Sequence, residues 1–111
     1  MNLDRPVYSH QRLDVYRVAL EFARESSMLR VSPASLADQF TRSRNSIVLN
    51  IAEGAQQVSQ AMAKKHYRIA LGSAAEAAAC LDLIEATSAV KIEVLTPLIN
   101  RVGMMLRRLV R

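Results

Sequence analysis

Tryptophan is absent from this chain, and the aromatic residues of all kinds are two Phe and three Tyr. Glycine and proline are equally scarce, at 3 each in 111 residues. That scarcity argues against an all-β fold, which spends glycine on turns and aromatics on strands. One cysteine, Cys80, leaves no internal disulfide framework and no Cys-based zinc site. No run reaches the roughly 18 apolar residues that cross a bilayer. The opening Met1-Asn2-Leu3-Asp4-Arg5-Pro6 has no apolar stretch of the kind a secretory signal carries. A cytoplasmic protein is expected.

What is present is helix-forming. Hydrophobic residues make up 50% and charged residues 23%, the balance of one globular domain over residues 1–111, with a short disordered N-terminus expected at about residues 1–8. Alanine, leucine and arginine dominate, and all three favour helix.

Charge is one-sided. Lys and Arg number 15 against 10 acids, for a net charge of +5, which makes nucleic acid or another polyanion a candidate partner. The excess lies late in the chain: residues 1–57 hold seven cations and six acids, residues 58–111 eight cations and four acids. After Glu93 come four arginines (101, 107, 108 and 111) and no acid. A plainer reading is that cations at a helix C-terminus complement its dipole and keep a small protein soluble.

Hydrophobic periodicity predicts four helices. The first spans about Ser9 to Arg30, with Leu13, Tyr16, Leu20 and Ala23 in one seam and Val15, Val18, Phe22 and Leu29 beside it. Pro33 marks a break. The second spans about Ser35 to Gln56 with Leu36, Phe40, Ile47 and Ile51 inward, and Ser46, Asn50, Glu53 and Gln57 on a polar face. Ser59 caps the third, about Gln60 to Ser88, whose seam of Tyr67, Ala70, Ala74, Ala77, Leu81 and Ile84 lets a neighbouring backbone come close. The fourth begins between Lys91 and Thr96 and ends near Val110, with Thr96 as a candidate N-cap and Pro97 in the first turn. Its seam is Leu98, Val102, Met105 and Leu109, widened by Ile99 and Leu106. The expected architecture is all-α, an antiparallel up-down four-helix bundle. Stripes this wide also suggest self-association through Met104, Met105 and the outer stripe of the first helix.

No catalytic constellation stands out. Gly54, Gly72 and Gly103 are isolated and form no phosphate loop, and neither His10 nor His66 has an acid three residues before it. Cys80 among Ala78, Ala79 and Leu81 reads as a buried thiol, and Asp82 with Glu85 as a solvated face. Lys64-Lys65-His66-Tyr67-Arg68 is the one dense polar cluster. It suits a phosphate contact, whereas the structural reading puts Tyr67 in the core, Lys64 and Lys65 in water, and Arg68 in an ion pair with Glu53.

Asn50-Ile51-Ala52-Glu53-Gly54, followed by Tyr67-Arg68-Ile69-Ala70-Leu71-Gly72-Ser73-Ala74-Ala75-Glu76, resembles the four-helix-bundle proteins encoded in 23S rRNA intervening sequences, the S23-like family. Leu13 to Ala19 resembles that family's opening helix and Val102 to Leu106 its closing one, so the resemblance spans about residues 12–110. It implies an up-down bundle assembled into a ring-like homopentamer, and kinship with the accessory (Avd-like) protein of diversity-generating retroelements, which works with a reverse transcriptase and nucleic acid. The family motif carries over to a polar network of Asn50, Glu53, Tyr67, Arg68, Ser73 and Glu76, with Gly54 and Gly72 among them. Many relatives have a basic run after the first motif, where this chain has Ala55-Gln56-Gln57-Val58. The basic weight therefore moves to Lys64, Lys65 and the last helix.

The function expected from these readings is non-enzymatic and needs no cofactor or metal. A basic homo-oligomer binds nucleic acid, RNA or a ribonucleoprotein, by sequence-independent phosphate contacts from Arg42, Arg44, Lys64, Lys65, Arg107, Arg108 and Arg111. Five copies of a +5 chain carry about +25. A protein–protein assembly module is the alternative, and a nuclease built on His66 and Tyr67 a distant third.

Overall fold

The computed structural model describes residues 2–111, and among them every regular element is helical. A single 3-10 turn, Ser9–Arg12, leads into α1 (Asp14–Ser26), α2 (Ala34–Ala55), α3 (Gln60–Thr87) and α4 (Leu95–Leu109). The four helices fill a body of 47 × 32 × 22 Å. No helix among them is long and apolar enough to cross a membrane.

Local chemistry explains where each helix starts. Ser59 caps α3 as expected, its Oγ accepting the Met62 N–H at 3.3 Å. The Pro33 carbonyl accepts the Leu36 and Ala37 amides at 3.0 and 3.2 Å, opening α2 immediately after the proline. At α4 the expectation fails in detail. Thr96 lies inside the first turn and not at the N-cap, which Val94 occupies. The Ile92 carbonyl takes the amides of Leu95 and Thr96 at 2.9 and 3.2 Å, so the turn before the helix is already closed.

The first helix is shorter than its periodicity predicts. Leu13 is extended, with φ −80° and ψ 132°, and the Gln11 side chain accepts the amides of Val7 and Tyr8 at 3.1 and 2.9 Å. These bonds hold a separate 3-10 turn where a continuous helix was expected. At the far end, Ser26 and Ser27 donate their hydroxyls to the carbonyls of Ala23 and Arg24, a local competition that favours ending a helix.

The core gathers one stripe from each helix. Leu36, Phe40, Ile47 and Ile51 of α2 and all six residues of the predicted α3 seam are buried. Phe22 and Phe40 meet edge to face with centroids 6.0 Å apart. In α1 the stripe that enters the core is Val15, Val18, Ala19 and Phe22, while Leu13, Tyr16, Leu20 and Ala23 are half-covered. In α4, Leu95, Leu98, Ile99, Val102 and Leu106 are buried, and Met105 and Leu109 flank them. The lines in α1 and α4 therefore shift by a fraction of a turn from those expected, because α1 packs on both α2 and α4 and α4 on both α1 and α3, while those of α2 and α3 are as expected.

The most extensive packing joins α2 to α3. Ser46 meets Ser73, Asn50 meets His66, and Gly54 meets Tyr67. From Ser46 to Asn50 and Gly54 the α3 partner falls from position 73 to positions 66 and 67, so these two helices run antiparallel. α4 packs against both α1 and α3.

Candidate nucleic-acid interface

The polar face of α2 builds a connected network with α3. The hydroxyls of Ser46 and Ser73 lie 2.7 Å apart. Asn50 donates from Nδ2 to the Ser46 carbonyl at 3.0 Å and to Ser46 Oγ at 3.1 Å. Its Oδ1 lies 3.2 Å from His66 Nδ1. A carbonyl only accepts, so Nδ2 is the end of the amide that faces Ser46 and Oδ1 the end that faces the imidazole. His66 Nδ1 therefore carries a hydrogen and donates it. Gln57 donates to the Glu53 carbonyl at 3.2 Å, which ties the end of α2 to itself.

Of the six predicted members only Asn50 and Ser73 join it; among the described residues the side chains of Glu53, Tyr67, Arg68 and Glu76 make no hydrogen bond or ion pair. The Glu53–Arg68 ion pair is absent: among the described residues the one salt bridge is Arg17–Asp14 at 3.6 Å. Glu53 lies beside Gly54, whose contact with Tyr67 puts Arg68 at the same level of the hairpin. Both residues are exposed, and Glu53 borders a groove with Tyr8, His10, Leu49 and Gln56. Tyr67 is buried against Gly54, and burial pushes its hydroxyl pKa up. Burial also raises the Cys80 thiol, and the nearby Glu76 carboxylate adds to the shift. That thiol is buried, as its apolar neighbours suggested.

The basic residues are distributed over three faces. Arg42 lines a groove of about 380 Å³ between α2 and α3, together with Gln39, Ser46, Ser73 and Glu76. Arg107 borders a groove of about 450 Å³ between α3 and α4, beside Asn100 and Met104. Arg108 borders one of about 270 Å³ between α1 and α4, beside Asp14 and Met105. Lys65 and Arg111 are exposed and Lys64 is half-buried. Arg44 is half-buried too, with its Nε donating to Asn45 Oδ1 at 3.2 Å. Arg107, Arg108 and Arg111 share the C-terminal end of α4, where helix carbonyls favour cations. One chain thus presents several separate basic points, not one patch, and among the described residues no ion pair neutralises any of the seven.

Sequence reasoning missed a cluster at the N-terminal edge. His10 stacks on Tyr8 with centroids 5.9 Å apart and meets Tyr16 edge-on at 4.7 Å. Gln56 Nε2 lies 2.9 Å from His10 Nδ1 and anchors the 3-10 turn to the end of α2. The two residues are 46 positions apart, and neither the spacing nor the residue types signal the contact.

With four helices and this motif-bearing hairpin in place, the class is a small basic all-helical protein. A model of the 23S rRNA-intervening sequence protein family matches residues 11–111. The chain belongs to that family. No curated protein and no solved structure gives a significant match.

Proposed function

We propose that this protein is a non-enzymatic, homo-oligomeric adaptor that binds nucleic acid through phosphate contacts, without reading base sequence. The observation that carries the reading is unspent charge. The chain holds 15 cations against 10 acids, and its one ion pair among the described residues is the exposed Arg17–Asp14. Arg42, Lys64, Lys65, Arg107, Arg108 and Arg111 are left to face an outside anion.

Their placement on separate faces favours repetition over a single deep site. An up-down bundle repeated around a ring, a pentamer by the family resemblance, sets the same weak contacts side by side, and linked weak contacts raise avidity. Membership in a family named for an rRNA element supports RNA as the polyanion. Kinship with retroelement accessory proteins extends the proposal to a complex with a reverse transcriptase. The chain offers few exposed aromatics for base stacking, which is consistent with phosphate contacts as the main source of affinity.

Protein–protein assembly without nucleic acid is the second reading, favoured by exposed Met104 and Leu49 beside grooves. Charge reversal separates the two. Arg107→Glu with Arg108→Glu is expected to weaken binding of a generic single-stranded RNA about tenfold or more at low salt, with the oligomer intact. RNA binding unchanged by that variant removes α4 from the interface. No RNA binding by the wild type at low salt leaves the assembly module.

A further inference from the structure

α3 carries a second heptad seam on the side away from the core. Met62, Lys65, Ile69, Gly72, Glu76, Ala79 and Leu83 recur at alternating spacings of three and four residues along the helix. All seven are exposed, with Met62, Ile69 and Leu83 at 43%, 44% and 49%. A spacing of this kind keeps one stripe facing one partner helix over several turns. Among the described residues no side chain of this stripe is buried in the core, hydrogen-bonded or in an ion pair. A Cβ built at Gly72 meets no atom within 4 Å, and neither Lys65 nor Glu76 is in an ion pair.

We propose that this stripe docks on the same stripe of a second copy of the chain, antiparallel, about a twofold axis at the level between residues 70 and 71. In that register Ile69 faces Gly72 of the other copy, Met62 faces Ala79, and Lys65 faces Glu76. Val58, fully exposed just before the helix, falls opposite Leu83. Met62 and Ile69 each meet a small residue, Leu83 meets an apolar one and Lys65 meets a carboxylate, and the twofold axis makes every pairing occur twice. The glycine and alanine let the two backbones approach closely, as large-against-small layers require.

The alternatives are worse on the same residues. A parallel pair in register sets Lys65 on Lys65, Glu76 on Glu76, and Gly72 on Gly72 across a void. Sliding the antiparallel pair by one heptad puts Lys65 opposite Leu83 or Ile69 and leaves Glu76 without its cation. The stripe therefore selects both direction and register, the role that charged heptad positions play between helices. The contact closes on two copies, so a ring needs another surface, and rings carrying this stripe would join in pairs. The pairing takes Lys65 from the cations assigned above to nucleic acid and leaves Arg42, Lys64, Arg107, Arg108 and Arg111 to it, and its test needs no nucleic acid.

Charge exchange provides the test. Lys65 and Glu76 lie eleven residues apart, about 16 Å along one helix, so they cannot pair within one chain. Sedimentation equilibrium and light scattering over a wide concentration range, with circular dichroism to verify helix content, read the association of the protein alone. Lys65→Glu and Glu76→Lys are each expected to weaken it about tenfold or more, by opposing like charges twice per pair of chains. The double variant K65E/E76K is expected to return to near the wild-type constant. A wild type that stays monomeric overturns the proposal. So does a mass that none of the three variants changes, or a double variant as weak as the singles.

Discussion

A methyl group added at Gly54 would sit 2.6 Å from Cε1 and 2.9 Å from Cδ1 of the Tyr67 ring. The ring is buried in the core seam and cannot withdraw freely. Gly54→Ala is therefore expected to destabilise the fold by about 1–3 kcal/mol, the usual cost of overpacking. Gly103→Ala should act with the opposite sign: nothing lies within 4 Å of its Cβ, and a helical Gly costs roughly 0.5–1 kcal/mol against Ala. Urea denaturation of both variants checks the contrast. Tyr67 also gives a pH signature. Its hydroxyl is pushed above its ordinary value by burial, so an unfolded chain ionises this group first as pH rises. The stability it contributes is complete below about pH 10 and is lost as pH climbs through the folded-state value. Tyr67→Phe should shed that loss and resist alkaline unfolding better than the wild type, with denaturant midpoints between neutral pH and strong alkali as the measure. The close contact at Gly54 was legible only as a motif glycine. Single residues do not reveal which glycine meets a ring and which meets open space.

At the scale of elements, α2 and α3 were the most legible because their signals agree. Pro33 opens one, Ser59 caps the other, and both inner seams keep their period to the end. Ser59→Ala removes the acceptor of the Met62 amide and is expected to cost about 1 kcal/mol, seen as a lower thermal midpoint. The ends of α1 were not legible, since Gln11 and the Ser26–Ser27 pair act through hydrogen bonds that periodicity does not register. The Glu53–Arg68 pair failed for a related reason. Helix spacing places two residues at one level of a hairpin, but the direction of each side chain depends on how the helices are rotated against one another. Glu53 instead borders the groove that Tyr8 and His10 also line. The Ser46–Ser73 and Asn50–His66 contacts came from the expected polar face because those residues point between the helices.

For the molecule as a whole, composition foretold a helical basic domain, and the fold spreads that charge across several faces without pairing it. How the seven cations would be grouped was hidden in the sequence, since grouping depends on which helices are neighbours. The account makes the excess charge useful through repetition, and repetition is measurable. Size exclusion coupled to light scattering, on protein freed of nucleic acid, with and without a generic RNA and at low and high salt, tests this most directly. The expected result is a multimer whose mass rises with RNA at low salt and returns to that of the free multimer as salt increases, because phosphate contacts weaken as counterions compete. A monomer, or a multimer whose mass is the same with and without RNA at every salt concentration, would contradict it.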